Sequence, residues 1–138
     1  MSDDSVVAEL TELVMRVARR LQFDFHAAAA ELDLPPAQAL ALSELGESAP
    51  MRELAVRLGC DASNVTGIVD GLERRGLVTR RPDPSDRRVK HLVLTEEGER
   101  KRETLRSRSH AKAAELFELP HGDDVRLRDL LAQVKTCR

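Results

Sequence analysis

Tryptophan and tyrosine are missing from this chain of 138 residues, and Phe23, Phe25 and Phe117 are its only aromatics. The core must therefore be assembled from Leu, Val and Ala, and Leu and Ala together with abundant Glu and Arg favour helix. Cysteine is equally scarce: Cys60 and Cys137 are too few for a disulfide scaffold or a Cys-rich zinc site. No uncharged apolar run nears the roughly 18 residues that a membrane span takes. The acidic start Met1–Asp4 lacks the basic-then-apolar order of a signal peptide. Nucleophile elbow, P-loop, dinucleotide fingerprint and zinc-protease motif are all absent, so neither an enzyme nor a cofactor is expected. His26, His91, His110 and His121 are too scattered to hold a metal. What is present, 41% hydrophobic and 33% charged residues, suits a single cytoplasmic, helix-rich domain with a heavily ionised surface.

Charge is unevenly spread. The formal net charge is only -2, yet residues 1–50 hold nine acids against three bases. Residues 74–90 reverse this, with Arg74, Arg75, Arg80, Arg81, Arg87, Arg88 and Lys90 against Asp83 and Asp86. A basic stripe on a near-neutral protein is the footprint of a local polyanion contact. A merely solvated face is the alternative, and the surrounding pattern decides between them.

Apolar residues at Val7, Leu10, Val14, Val17, Leu21, Phe25 and Ala28 step by threes and fours, predicting a helix from about 5 to 32. Its length suggests an arm. Pro35-Pro36 breaks it and opens a second helix, 36–45, which Gly46 ends. A short helix, 51–58, follows, then Gly59 at a sharp turn. Asp61 is placed to cap the next helix, 62–75, by accepting free amides at Ser63 or Asn64. That helix turns Val65, Ile68, Val69 and Leu72 inward and shows Ser63, Asn64, Thr66, Gly67, Asp70 and Arg74 on its other side. Two short helices around a glycine turn make a helix-turn-helix. After Gly76 the period changes: strands at 77–81 and 89–94 flank the turn residues 82–86, forming a wing. Thr95 can cap a helix running to about Leu119, solvated in its middle apart from Leu105. A last helix is predicted over 123–134.

The residues Glu53-Leu54-Ala55, Leu58-Gly59, Ser63-Asn64-Val65-Thr66, Val69-Asp70, Leu72-Glu73 and Arg75-Gly76-Leu77-Val78 resemble the MarR family of bacterial winged helix-turn-helix regulators. So do Asp83-Pro84-Ser85-Asp86-Arg87-Arg88 and Leu92-Val93-Leu94-Thr95-Glu96-Glu97-Gly98, the wing run being the most specific piece. The resemblance implies a mainly α fold with a small β wing and a homodimer. Dimerisation helices are expected at about 5–33 and 96–137, around a DNA-binding lobe at about 36–95. Unpartnered apolar faces on the first and last helices agree with that reading.

For such a regulator, helix 62–75 should enter the major groove with its N-terminal end first. Ser63, Asn64 and Thr66 are then placed to reach bases or phosphates, with Asn64 the strongest base-reading candidate. Ser63 could equally reinforce the cap, and Thr66 could bond back to the preceding turn. Gly67 departs from many relatives, which carry a larger polar or basic residue there; it either admits the backbone closely or removes a contact. Arg87 or Arg88 should enter the minor groove, and by family analogy Asp86 orients one of them through a bidentate pair. Arg74, Arg80, Arg81 and Lys90 are expected to clamp phosphates. The expected partner is a pseudo-palindromic duplex, with repression relieved by a small lipophilic or phenolic effector. Effector contacts fall to Phe23, Phe25 and His26, although core packing is the default for both phenylalanines. Cys60 is expected as an apolar plug, since Asp61 beside it disfavours a thiolate. The rival reading is a winged-helix module for protein contacts, which has no need of concentrated arginines.

Overall fold

The computed structural model describes residues 2–136; Met1, Arg138 and the second cysteine, Cys137, lie outside the described residues. The C-terminal bound of the expected dimerisation segment, 137, falls there too.

Helix α1 (Ser2–Glu31) carries Asp3 and Asp4 in its first turn, where carboxylates complement the helix dipole. Asp33 then takes a positive φ of 55° and redirects the chain into α2 (Pro36–Leu45), which starts on proline at its first helical position. Strand β1 (Ser48–Pro50) leads into α3 (Met51–Leu58). Gly59 ends α3 in the left-handed conformation, and the amides of Gly59 and Cys60 donate to the carbonyls of Val56 and Ala55 at 3.1 Å. Helix α4 (Ala62–Arg74) follows, then strands β2 (Val78–Pro82) and β3 (Lys90–Leu94). Helix α5 (Glu96–Leu116) is capped by Thr95. A 3-10 turn at Pro120–Gly122 enters α6 (Asp123–Ala132).

The three strands form one antiparallel sheet in the order β1-β3-β2. Central Leu92 faces Ala49 on one side and Arg80 on the other. Ala49 and Leu92 are buried and join Leu42, Leu45, Leu54, Val65, Val69, Leu72 and Leu105 in a single core. Each fully buried Leu or Val contributes about 1.5–3 kcal/mol. The core reaches only from Ala28 to Leu105. The N-terminal part of α1 and all of α6 contribute nothing to it.

Three expectations change. Strand β1 has no signal of its own; it exists because Ser48, Ala49 and Pro50 meet Val93, Leu92 and His91. Helix α5 stops at Leu116 rather than Leu119, because Leu119 precedes proline and is driven to extended angles of -106° and 148°. Phe23 is not a core residue: it is 68% exposed.

Candidate nucleic-acid interface

Helix α4 is fastened at both ends and bare along one side. At its start the Asp61 carboxylate accepts the Asn64 amide and the Ser63 hydroxyl, each at 2.9 Å. Those two donors hold the Asp61 carboxyl below its ordinary value. The Thr66 hydroxyl donates to the Ala62 carbonyl at 2.8 Å. Of the three short polar side chains singled out in the sequence, Ser63 and Thr66 thus spend their hydroxyls on α4 itself. The Asn64 side chain has no partner among the described residues and is exposed. Val65 and Val69 are fully buried on the opposite side, which fixes the helix rotation and leaves Ser63, Gly67, Asp70 and Arg74 outward.

The wing is closed by its own turn. The Ser85 hydroxyl and amide both donate to the Asp83 carboxylate, holding it below its ordinary value. Backbone bonds from Asp83 to Val89 and from Val89 to Asp86, both 3.0 Å, narrow the loop. His91 bridges the sheet, with Nδ1 3.2 Å from Asp83 and Nε2 3.3 Å from the Ser48 hydroxyl.

The seven cations of the stripe separate into two groups. Arg80 turns onto Asp70 and Glu73 of α4, so it braces β2 against the helix instead of standing free. Arg75 donates to the Asp33 carbonyl at 2.7 Å. Arg88 meets Asp86 through Nε alone, at 3.3 Å; the expected bidentate pair is absent here, and with the arginine 91% exposed the contact is weak. Arg74, Arg81, Arg87 and Lys90 have no acidic partner among the described residues. Arg52 of α3 joins them: it shares a shallow groove of about 320 Å³ with Arg88 and Lys90. The sequence reading missed Arg52 because 35 intervening residues separate it from Arg88.

A second feature draws on no residue of α4 or the wing. A cleft of about 670 Å³ opens between α1, α2 and α5, within the range of small-molecule sites. Leu21, Phe25 and Leu40 supply apolar walls, and Arg102, Arg106, Ser109 and His110 supply polar groups. Arg102 Nε and the Ser109 hydroxyl are buried without a partner. Phe25 and His26 line the cleft, and Phe23 does not. The middle of α5 is therefore not simply solvated: Arg102 and Ser109 are half-buried there.

A model of the MarR family matches residues 32–89, the stretch from the end of α1 to the wing. The chain is 32% identical to a MarR-family transcriptional regulator from Rhodococcus sp. RHA1 of known structure, covering 91% of each chain with a TM-score of 0.75. The chain belongs to the MarR family. CouR from Rhodococcus jostii RHA1, solved bound to p-coumaroyl-CoA, is also 32% identical over 94% of this chain and 95% of its own, with a TM-score of 0.76. The transcriptional repressor MprA of Escherichia coli K12 is 45% identical over 56 residues. That match covers 41% of this chain and spans about a third of the repressor (32%). The chain has the mostly helical winged fold of its MarR-family relatives. Cys60, half-buried with Sγ 3.6 Å from the Leu58 carbonyl, packs against the core of the helix-turn-helix in this MarR-family chain.

Proposed function

We propose that this MarR-family regulator is a sequence-specific, double-stranded DNA-binding homodimer that represses transcription until a small effector releases it. Helix α4 enters the major groove with Asn64 at a base edge, while the wing carries Arg87 or Arg88 into the minor groove. Arg74, Arg81, Lys90 and Arg52 neutralise phosphates. The observation that carries this reading is the set of unpaired cations gathered beside one bare helix face and one hairpin. Residues of about 36–95 form the DNA-binding lobe, and segments of about 5–33 and 96–137 form the dimer. Two-fold symmetry then sets half-sites about one helical turn apart. The cleft takes the effector, an amphipathic molecule with an apolar body against Phe25 and Leu40 and an anionic end toward Arg102, Arg106 and Ser109.

Titration of the full chain with random-sequence duplex DNA at increasing salt tests the first part. Affinity should fall steeply, by a logarithmic slope of about -0.9 for each phosphate neutralised. Arg87→Ala should weaken binding to a selected duplex by more than ~1 kcal/mol. A flat salt response supports a protein-contact module instead. Adding p-coumaroyl-CoA to the same titration probes the cleft: release of the duplex is expected, and unchanged binding at saturating ligand removes this class from the proposal.

A further inference from the structure

Six of the seven glycines have a reason inside the fold. Gly46, Gly59, Gly76 and Gly122 hold φ between 64° and 72°. A β-carbon at Gly71 would strike Gln38, and one at Gly98 would strike the Leu77 carbonyl. Gly67 has no such reason. It lies in the interior of α4 with ordinary helical backbone, it is exposed, and a β-carbon there meets nothing within 4 Å. Glycine at an exposed mid-helix position weakens the helix relative to alanine, and nothing within the chain offsets that loss.

The surface around Gly67 is equally low. The hydroxyls of Ser63 and Thr66 fold back onto Asp61 and the Ala62 carbonyl. The face at Gly67 therefore presents bare backbone flanked by short side chains, with Asn64 at one end and, one turn on, the Asp70–Arg80 pair and Arg74 at the other. An α-helix with its side chains is about 10–12 Å across, close to the roughly 12 Å width of the major groove. Removing one side chain on the inward face lets the axis sit deeper.

We propose that Gly67 is the point at which the α4 backbone approaches the duplex more closely than a β-carbon allows. The helix seats by shape at its middle and reads bases from its N-terminal end. This rests on the DNA-binding reading above. It makes stability and affinity move in opposite directions, which a purely structural glycine or an indifferent one does not.

The test uses the whole 138-residue chain, letting wild type enrich duplexes from a random-sequence pool. The enriched duplex is then titrated with wild type, Gly67→Ala and Gly67→Ser, and thermal unfolding of each is recorded without DNA. Gly67→Ala should raise Tm by roughly 2–4 °C and weaken binding by about tenfold, with Gly67→Ser weaker still. Gly67→Ala binding within about twofold of wild type, or melting below it, overturns the proposal. If wild type enriches no duplex at all, the DNA-binding reading fails and takes the proposal with it.

Discussion

Asp61 sits at the N-terminus of α4 with a charge that the helix end itself stabilises. It accepts the Asn64 amide and the Ser63 hydroxyl, so its folded carboxyl titrates below the ordinary 3.8. As pH falls the unfolded chain takes up this proton first, and the folded form follows only at the lower value. The stabilisation is therefore complete above pH 3.8 and disappears as pH drops through the lowered value. Acid unfolding should show Asp61→Asn losing less stability than wild type below about pH 4; parallel curves would remove the cap from the explanation. The capping role was legible in the sequence, because an aspartate just before a helix has few other local uses. The fates of Arg75 and Arg80 were not. Their partners, Asp33 and Asp70 with Glu73, are chosen by geometry, and these two of the seven cations looked free only because sequence records charge without direction.

Helix α5 shows how elements are tied to the lobe. The Thr95 hydroxyl donates to the Gly76 carbonyl at 2.6 Å and accepts the Gly98 amide at 3.0 Å. One side chain thus caps α5 and pins its start to the turn after α4. Thr95→Ala should destabilise the protein by about 1 kcal/mol, the usual loss of such a cap, seen as a lower Tm; Thr95→Ser should retain most of it. An unchanged Tm for Thr95→Ala would mean that packing alone sets the start of α5. Periodicity located the six α-helices to within a few residues because each is bounded by a capping residue, proline or glycine or carries a run of apolar residues at helical spacing, buried or, as in α6, exposed. Strand β1 escaped it, since three residues have no measurable period and Ala and Pro are poor strand formers. Only pairing with β3 makes Ser48–Pro50 a strand.

At the scale of the whole molecule, the apolar surface is divided between an inside and an outside. Val6, Val7, Leu10, Leu13, Val14 and Met15 on α1 are each about half exposed, as are Val125, Leu130 and Leu131 on α6 and Val134 beyond it. Helix α6 leans mainly on the 3-10 turn before it. Apolar surface of this extent on a charged chain is characteristic of an interface, and a second copy satisfies both faces at once in the proposed dimer. Leu10→Glu should shift sedimentation of the purified protein toward the mass of one chain, 15.4 kDa, and weaken binding to a two-half-site duplex more than to a single half-site. A variant that sediments as wild type does would place the interface elsewhere.

The sequence by itself determined the helical class and the helix-turn-helix with its wing. Those follow from local rules: periodicity, capping and turn chemistry act over a few residues. Tertiary structure alone decided which cations stand free, that Arg52 joins them, that β1 completes the sheet, and that Phe25 lines a cleft while Phe23 faces solvent. These depend on rotations and distances between segments far apart in the chain, which no short-range pattern encodes.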